Sequence, residues 1–291
     1  MEIKEIARSA YPEFLLPLLE IPEPPERLYV TGILPKKDGM KTLTVVGSRR
    51  NSSYGKEVCE NLIAGLRGYP VIIVSGLALG IDSIAHKSAL GVGLITVAVP
   101  GSGLAPKVLY PSFHRPLAKE ITEAGGALIS EFEPETQAAP WTFPKRNRIM
   151  AGLADALLVI EAEERSGTQI TARLALDYNR TVLSVPGNIT SETSAGTNRL
   201  IREGAVPVTS PEDILRELGF EIKEGEQRTF DFSSFSQAEQ KLLELLREPR
   251  HKDELLSLSG LSAGDALSAL TILEIKGVIK EELGLVRILL N

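Results

Sequence analysis

Seven short apolar runs, rich in β-branched residues and separated by helix-like stretches, constrain the fold of this 291-residue sequence more than any other feature. They are LTVVG (43–47), VIIVSG (71–76), LITVAVPG (94–101), ALISEF (127–132), ALLVIEA (156–162), TVLSVPG (181–187) and AVPVTS (205–210). The runs are continuous rather than alternating in polarity, and most end in Gly or Ser, as expected of strands buried on both faces. Segments such as YGKEVCENLIAGLRG (54–68) and TQITARLALDYN (168–179) read as the intervening helices. This alternation implies an α/β domain with a Rossmann-like, mostly parallel sheet and helices on both faces.

Residues 1–40 are Pro-rich, and IPEPPERLYVTG reads as part of an extended N-terminal strap laid on the next domain. The Rossmann-like domain is expected over 41–220 and a polar linker over 221–234. A small C-terminal winged-helix domain is expected over 235–291. There Ser236 and Glu239 form a capping box opening one helix. A second helix runs from Lys252 to Ser257, and a third starts at Ser262 and Asp265. A hairpin then turns around Gly284.

No apolar run approaches the roughly 20 residues of a membrane-spanning helix. The opening MEIKEIARSAYPE lacks the order of a secretory signal. The single cysteine, Cys59, excludes an internal disulfide. The three histidines, His86, His114 and His251, are too scattered for a metal site, and no cofactor is expected. These features fit a cytoplasmic protein. The net charge of −6 means that any polyanion must be held by cations gathered at one place.

Ligands of open α/β sheets bind at the carboxyl ends of the strands. The first such loop holds Gly47, Ser48 and Arg49: a phosphate cradle with a guanidinium, or an ordinary turn with solvated arginines. In the second, Ser75–Asp82, Gly76 and Gly80 describe a backbone able to approach an anion. The third glycine of a dinucleotide fingerprint is missing, and Asp82 as a helix cap is the plainer reading. The stretch WTFPKRNR (141–148) combines the only tryptophan and Phe143 with Lys145, Arg146 and Arg148. It is either the local basic site that the acidic total demands, suited to stacked bases and tracked phosphates, or a solvated basic helix start with core aromatics. Ser166, Gly167 and Thr168 open a further helix with free amides, and Glu161 before them lacks the partners of a hydrolase.

Taken in order, these segments closely resemble the DprA/Smf family (DNA-processing protein A). The matching motifs are GSR (47–49) with YG (54–55), SGLALGID (75–82) with His86, PGSGL (100–104) with YP (110–111), and SE (130–131). They continue with FPKRNRIMAGL (143–153), SGT-IT (166–171), VPG (185–187) and GTNRLIREGA (196–205). The resemblance implies a non-catalytic, homodimeric single-stranded DNA-binding protein that protects incoming DNA and helps load RecA recombinase in natural transformation. It assigns DNA contacts to Arg49, Phe143, Lys145, Arg146, Asn147 and Arg148. Gln169, Thr142 and Asn179 depart from the usual residues, and Pro140 stands where some members have a cation.

The alternative is a nucleotide-binding sensor or nucleotide hydrolase of the lysine-decarboxylase-like Rossmann group, but Pro100–Leu104 departs from that group's PGGxGT motif. A winged-helix transcription factor is a third reading. It is weakened by the C-terminal module, which carries seven Lys/Arg against ten Asp/Glu from Asp231 onward, a net of −3. Its third helix has no cation before Lys276, which favours protein contact or regulation over duplex reading.

Overall fold

A computed structural model describes residues 2–222, 235–246, 248–282 and 284–288; most of the expected linker (223–234) lies outside the described residues. The chain forms two compact units, Met1–Ile222 and Lys223–Asn291.

Each of the seven apolar runs supplies one strand of the first unit: β3 (Lys41–Val46), β4 (Val71–Ser75), β5 (Thr96–Ala98), β6 (Ala127–Ser130), β7 (Ala156–Val159), β8 (Thr181–Ser184) and β9 (Val206–Pro207). They pair in parallel in the order β6-β5-β4-β3-β7-β8-β9. The chain thus winds outward from β3 through β6, then returns to the other side of β3 at β7. This reversal leaves a crevice beyond the carboxyl ends of β3 and β7, where α/β sheets take their ligands.

Both faces are covered. Leu43, Val45, Ile73 and Leu158 meet residues of α1 (Ser53–Ala64), α2 (Ile81–Gly91) and α7 (Pro211–Glu217). On the opposite face Val46, Ile72, Val74 and Leu157 meet residues of α4 (Thr142–Leu153) and α5 (Gly167–Asp177). Two further helices, α3 (Arg115–Glu123) and α6 (Glu192–Arg202), complete the layers.

The first 40 residues, expected as a strap, contribute more than that. Lys4–Ala7 (β1) and Arg27–Gly32 (β2) extend the sheet, β1 antiparallel to β2 and β2 antiparallel to β6. Between them a 3-10 helix, Glu13–Leu19, buries Phe14, Leu15 and Leu18. Gly152 in α4 admits this packing, since a Cβ there would lie 2.9 Å from atoms of Leu18 and Ile21. The prolines flanking RLYVTG mask a strand whose inner residues, Leu28 and Val30, are buried in the main core.

The second unit is a winged helix. Its elements are α8 (Gln237–Leu245), α9 (Lys252–Leu258), α10 (Ala263–Ile275) and a three-stranded sheet ordered β10 (Arg250–His251), β12 (Leu285–Ile288), β11 (Ile279–Glu282). The Ser236–Glu239 capping box forms as read from the sequence. Ser262 caps α10 by accepting the Asp265 amide, and Gly284 turns the hairpin with φ of 79°. Leu242, Leu255, Leu270 and Leu273 fill its core.

His86, on α2, is fully buried and lies 2.7 Å from the Thr96 hydroxyl through Nδ1. That hydroxyl gives its proton to the Ile73 carbonyl (3.0 Å), so Nδ1 must be the protonated nitrogen of a neutral ring. Burial, reinforced by His114 nearby, pushes the imidazole pKa down to about 3. An unfolded chain protonates this histidine near its ordinary 6.5, so folding stability is lost as pH falls from there towards 3. The loss between pH 7 and pH 5 is about 2 kcal/mol from this residue. Urea melts at both pH values should show it, and His86→Asn should flatten that pH dependence whatever its own baseline stability. An unchanged slope in the variant would remove His86 as the cause.

Candidate nucleic-acid interface

The crevice at the sheet reversal is a cleft of about 470 Å³ built from three loop–helix junctions. The loop after β3 brings Gly47, Ser48, Arg49 and Arg50, α4 brings Phe143, Arg146 and Asn147, and the start of α5 brings Ser166, Gly167 and Thr168. Its rim residues Arg49, Arg50, Glu163, Arg165 and Ile170 are exposed, so the cleft opens to solvent.

Arg49 is the most directly placed cation. Its guanidinium lies over the half-buried Phe143 ring, 4.9 Å from the centroid, and it forms no ion pair among the described residues. Ser48 turns the loop by accepting the Arg50 amide on its hydroxyl at 3.0 Å. Across the cleft, α5 begins at Ser166 with no side-chain cap. Its first amides and the positive end of its dipole face the same space as the arginines. The Ser166 hydroxyl is buried there without a protein partner. Thr168 ties this helix to the first loop, donating to the Gly47 carbonyl at 3.2 Å. The arrangement offers guanidinium, amide and hydroxyl donors beside an aromatic face, which is the chemistry of a phosphate followed by a base.

The FPKRNR segment divides between two faces of α4. At about 100° per residue, positions 143, 146–147 and 150 face one way and 145 and 148 another. Phe143, Arg146, Asn147 and Met150 line the cleft, while Lys145 and Arg148 do not. Both of the latter turn to Glu131: Lys145 at 3.8 Å, and Arg148 in a close ion pair that also donates to the Glu23 carbonyl. Arg148 therefore fastens α4 to the loop after β6 and to the N-terminal segment.

Arg146 lines the cleft yet is buried within its floor. One guanidinium nitrogen donates to the carbonyls of Gly76 (2.6 Å) and Val99, and Nε donates to Asn147 at 3.2 Å. Burial lowers its pKa to about 10, against the opposing pull of Asp82, so it stays charged at neutral pH. Burial also raises the Asp82 carboxyl, opposed first by Arg146.

This explains the two glycines of the second loop differently from the expected anion approach. A Cβ on Gly76 would stand 2.0 Å from Arg146 Nη1 and 2.5 Å from Asp82 Oδ2. One on Gly80 would stand 2.3 Å from the Ser48 carbonyl oxygen, and Gly80 has φ of 78° besides. Gly76 thus makes room for Arg146 and Asp82, which hold the second loop, and Gly80 for the backbone of the first loop.

Glu161 is similarly occupied. Its carboxylate accepts the Ser52 amide (2.8 Å), the Ser52 hydroxyl (2.7 Å) and the Thr193 hydroxyl (2.9 Å), joining α1 to α6. In the Pro100–Leu104 loop the Gly103 amide donates to Thr136 (2.8 Å). A Cβ on Gly103 would stand 2.3 Å from the carbonyl oxygens of Glu133 and Pro134. The stretch that would carry a nucleotide phosphate in the alternative reading is thus packed against the chain itself.

Arg50 and Arg165 belong to the cleft but were not singled out from the sequence; their one available signal was position, beside the GSR and SGT turns. Trp141, in contrast, is absent from the cleft lining and packs edge-on against Phe132, with 5.6 Å between centroids. In the second unit the first turn of α10 carries Asp265. Lys276, at its end, pairs with Glu239 at 2.6 Å.

Among the described residues no helix is long and apolar enough to cross a membrane, and no group of three or more His, Cys, Asp or Glu is disposed to hold a metal.

The family model for DNA recombination-mediator protein A matches residues 3–219, and that for the DprA winged helix domain matches 233–284. Protein Smf of Escherichia coli is 45% identical over 213 residues, 72% of this chain, and the chain spans only 55% of that relative's length. The crystal structure of DNA processing protein A from Streptococcus pneumoniae superposes with a TM-score of 0.67 at 37% identity, covering 76% of each chain. The Helicobacter pylori protein, whose structure concerns its single-stranded DNA binding mode, superposes with a TM-score of 0.64 at 27% identity over 75% of this chain and 96% of its own. With residues 3–219 and 233–284 both matched by its models, this chain belongs to the DNA recombination-mediator protein A family.

Proposed function

We propose that this protein binds single-stranded DNA without chemically altering it, in the cleft between the β3 loop, α4 and α5. The observation that carries the reading is Arg49, exposed and laid on the Phe143 ring beside an uncapped helix start. One element of that cluster suits a phosphate and its neighbour suits a base, a pairing that a polynucleotide uses repeatedly. The Helicobacter pylori relative binds single-stranded DNA. Family membership supports carrying its role, together with homodimer assembly, a cytoplasmic location and delivery of the strand to RecA, to this chain as parts of the same proposal. The winged helix, acidic at the start of α10, is assigned to protein contact rather than duplex reading.

The test is fluorescence anisotropy of a labelled oligo-dT titrated with the full chain across a salt series. Binding should weaken with salt at a log–log slope of about −0.7 for each phosphate contacted, and a free 5′-nucleotide should compete poorly. Failure to bind single strands even at low salt would overturn the proposal and return attention to nucleotide ligands.

A further inference from the structure

Beside the main cleft, on the far side of the Arg49–Phe143 pair, lies a second and smaller indentation. Arg49, Leu79, Tyr110, Pro111 and Phe143 wall it, with Gly76 and Gly101 also in its lining. Two of these side chains stand out from the fold in a way that packing does not account for. Leu79 is 51% exposed at the tip of the loop after β4, and Tyr110 is 47% exposed. The Tyr110 ring meets Phe143 edge-on, with centroids 5.9 Å apart and planes at 64°, while Phe143 carries the Arg49 guanidinium on its face. Gly101 permits this arrangement, since a Cβ there would stand 2.6 Å from the Phe143 ring.

The loop that presents Leu79 is held from several sides. Leu77, fully buried, adopts φ of 60°, a left-handed conformation unusual for a bulky residue. Its carbonyl lies 2.7 Å from Nδ1 of His114, and the next amide, Ala78, donates to Asp82 at 3.3 Å. With Leu77 turned inward and anchored, Leu79 is left projecting beside Tyr110 and Arg49. Backbone held in such a region concentrates at binding and active sites.

We infer that this indentation, only about 30 Å³ in volume, marks a nucleobase subsite, at whose mouth a base of the bound strand lies on the exposed Tyr110 ring and against Leu79, beside the phosphate held by Arg49. The inference rests on the single-stranded DNA reading of the main cleft and extends its path by one position. Its walls are an aromatic ring, an aliphatic side chain and the edge of a guanidinium–phenyl stack, which suit a flat, uncharged, π-faced group. Arg49 is the one charged side chain among them, so affinity here comes from stacking and apolar contact, tolerant of which base is present. Continuity carries the choice of occupant: Arg49 and Phe143 line both the cleft and the indentation.

The test compares oligo-dT with a strand of equal length containing abasic positions, so that phosphates are kept and bases removed. Tyr110→Ala in the full chain should weaken oligo-dT binding roughly tenfold, leave the fully abasic strand bound as by wild type, and leave the salt slope unchanged. Leu79→Asn, at an exposed position whose loss leaves no core cavity, should move oligo-dT binding in the same direction. Tyr110→Phe should behave as wild type, because its ring face and not its hydroxyl is invoked. Thermal melts separate these effects from misfolding. If wild type binds oligo-dT and both Tyr110→Ala and Leu79→Asn bind it equally well, the subsite is wrong and the main cleft stands. An equal loss on abasic and normal strands would also overturn it, since the loss would then not concern bases. If wild type binds no single strand at all, the parent reading has failed and the subsite falls with it.

Discussion

Replacing Arg49 with alanine is expected to weaken oligo-dT binding by roughly 30-fold or more, the scale of a charge-assisted contact worth about 2 kcal/mol, without unfolding the protein. The residue is exposed, and the contact that it makes with the fold is the stack on Phe143. Losing that stack costs about 0.5–1 kcal/mol, so the melting temperature should move by only a few degrees. The salt slope of the variant should become shallower by about 0.7, because one phosphate contact is gone. Lys145 provides the control. It is also an exposed cation within the same sequence cluster, but it lies off the cleft near Glu131. Lys145→Ala should keep the wild-type affinity within about twofold and the wild-type salt slope, as for a surface charge outside the contact. Anisotropy titrations of the two variants at three salt concentrations decide the matter. If Lys145→Ala loses as much as Arg49→Ala, the strand follows the Glu131 side of α4 and the cleft is misassigned.

Arg146→Met should produce the opposite phenotype, a large loss of stability. Methionine keeps much of the volume but leaves the Gly76 and Val99 carbonyls without their donor. It also leaves the buried Asp82 without the charge that most opposes its desolvation. Removing one partner from such a buried arrangement costs about 3–5 kcal/mol. For a unit of this size that corresponds to a fall in melting temperature of roughly 6–15 °C, measurable by calorimetry of the full chain. Near pH 7 the double variant Arg146→Met/Asp82→Asn should recover part of the loss, because the orphaned charge is removed with its partner. A single variant that melts within 2 °C of wild type would show that Arg146 is not the anchor of the second loop. Arg49 and Arg146 sit within one motif set and line one cleft, but one is expected to report on the ligand and the other on the fold.

How far the sequence revealed this division can be followed residue by residue. Continuous β-branched runs mark all seven parallel strands, since burial on both faces is written directly into adjacent residues. The Ser236 and Ser262 helix starts were equally legible, because capping joins residues three apart. The strands β1 and β2 were not, since the prolines around them suggested a strap, and their place depends on pairing with β6 about a hundred residues later. The GSR and FPKRNR clusters are visibly basic, the latter also aromatic, but which face of α4 meets the cleft depends on what that helix packs against.

Local patterns thus carry the α/β class, the strands and helices of the parallel region, the winged helix and the motifs that gather at the carboxyl ends of the strands. All of these follow from periodicity, turn chemistry and capping, which act over a few neighbouring residues. Which cations remain available is set by long-range packing. Arg146 is consumed by carbonyls 70 and 47 residues away, and Arg148 by the Glu23 carbonyl 125 residues away and by Glu131, while Arg49, on a tight turn over Phe143, keeps its guanidinium at the surface. A charged side chain in a sequence has the same chemistry wherever it stands; its burial and its partners are set by long-range packing, which no local pattern records.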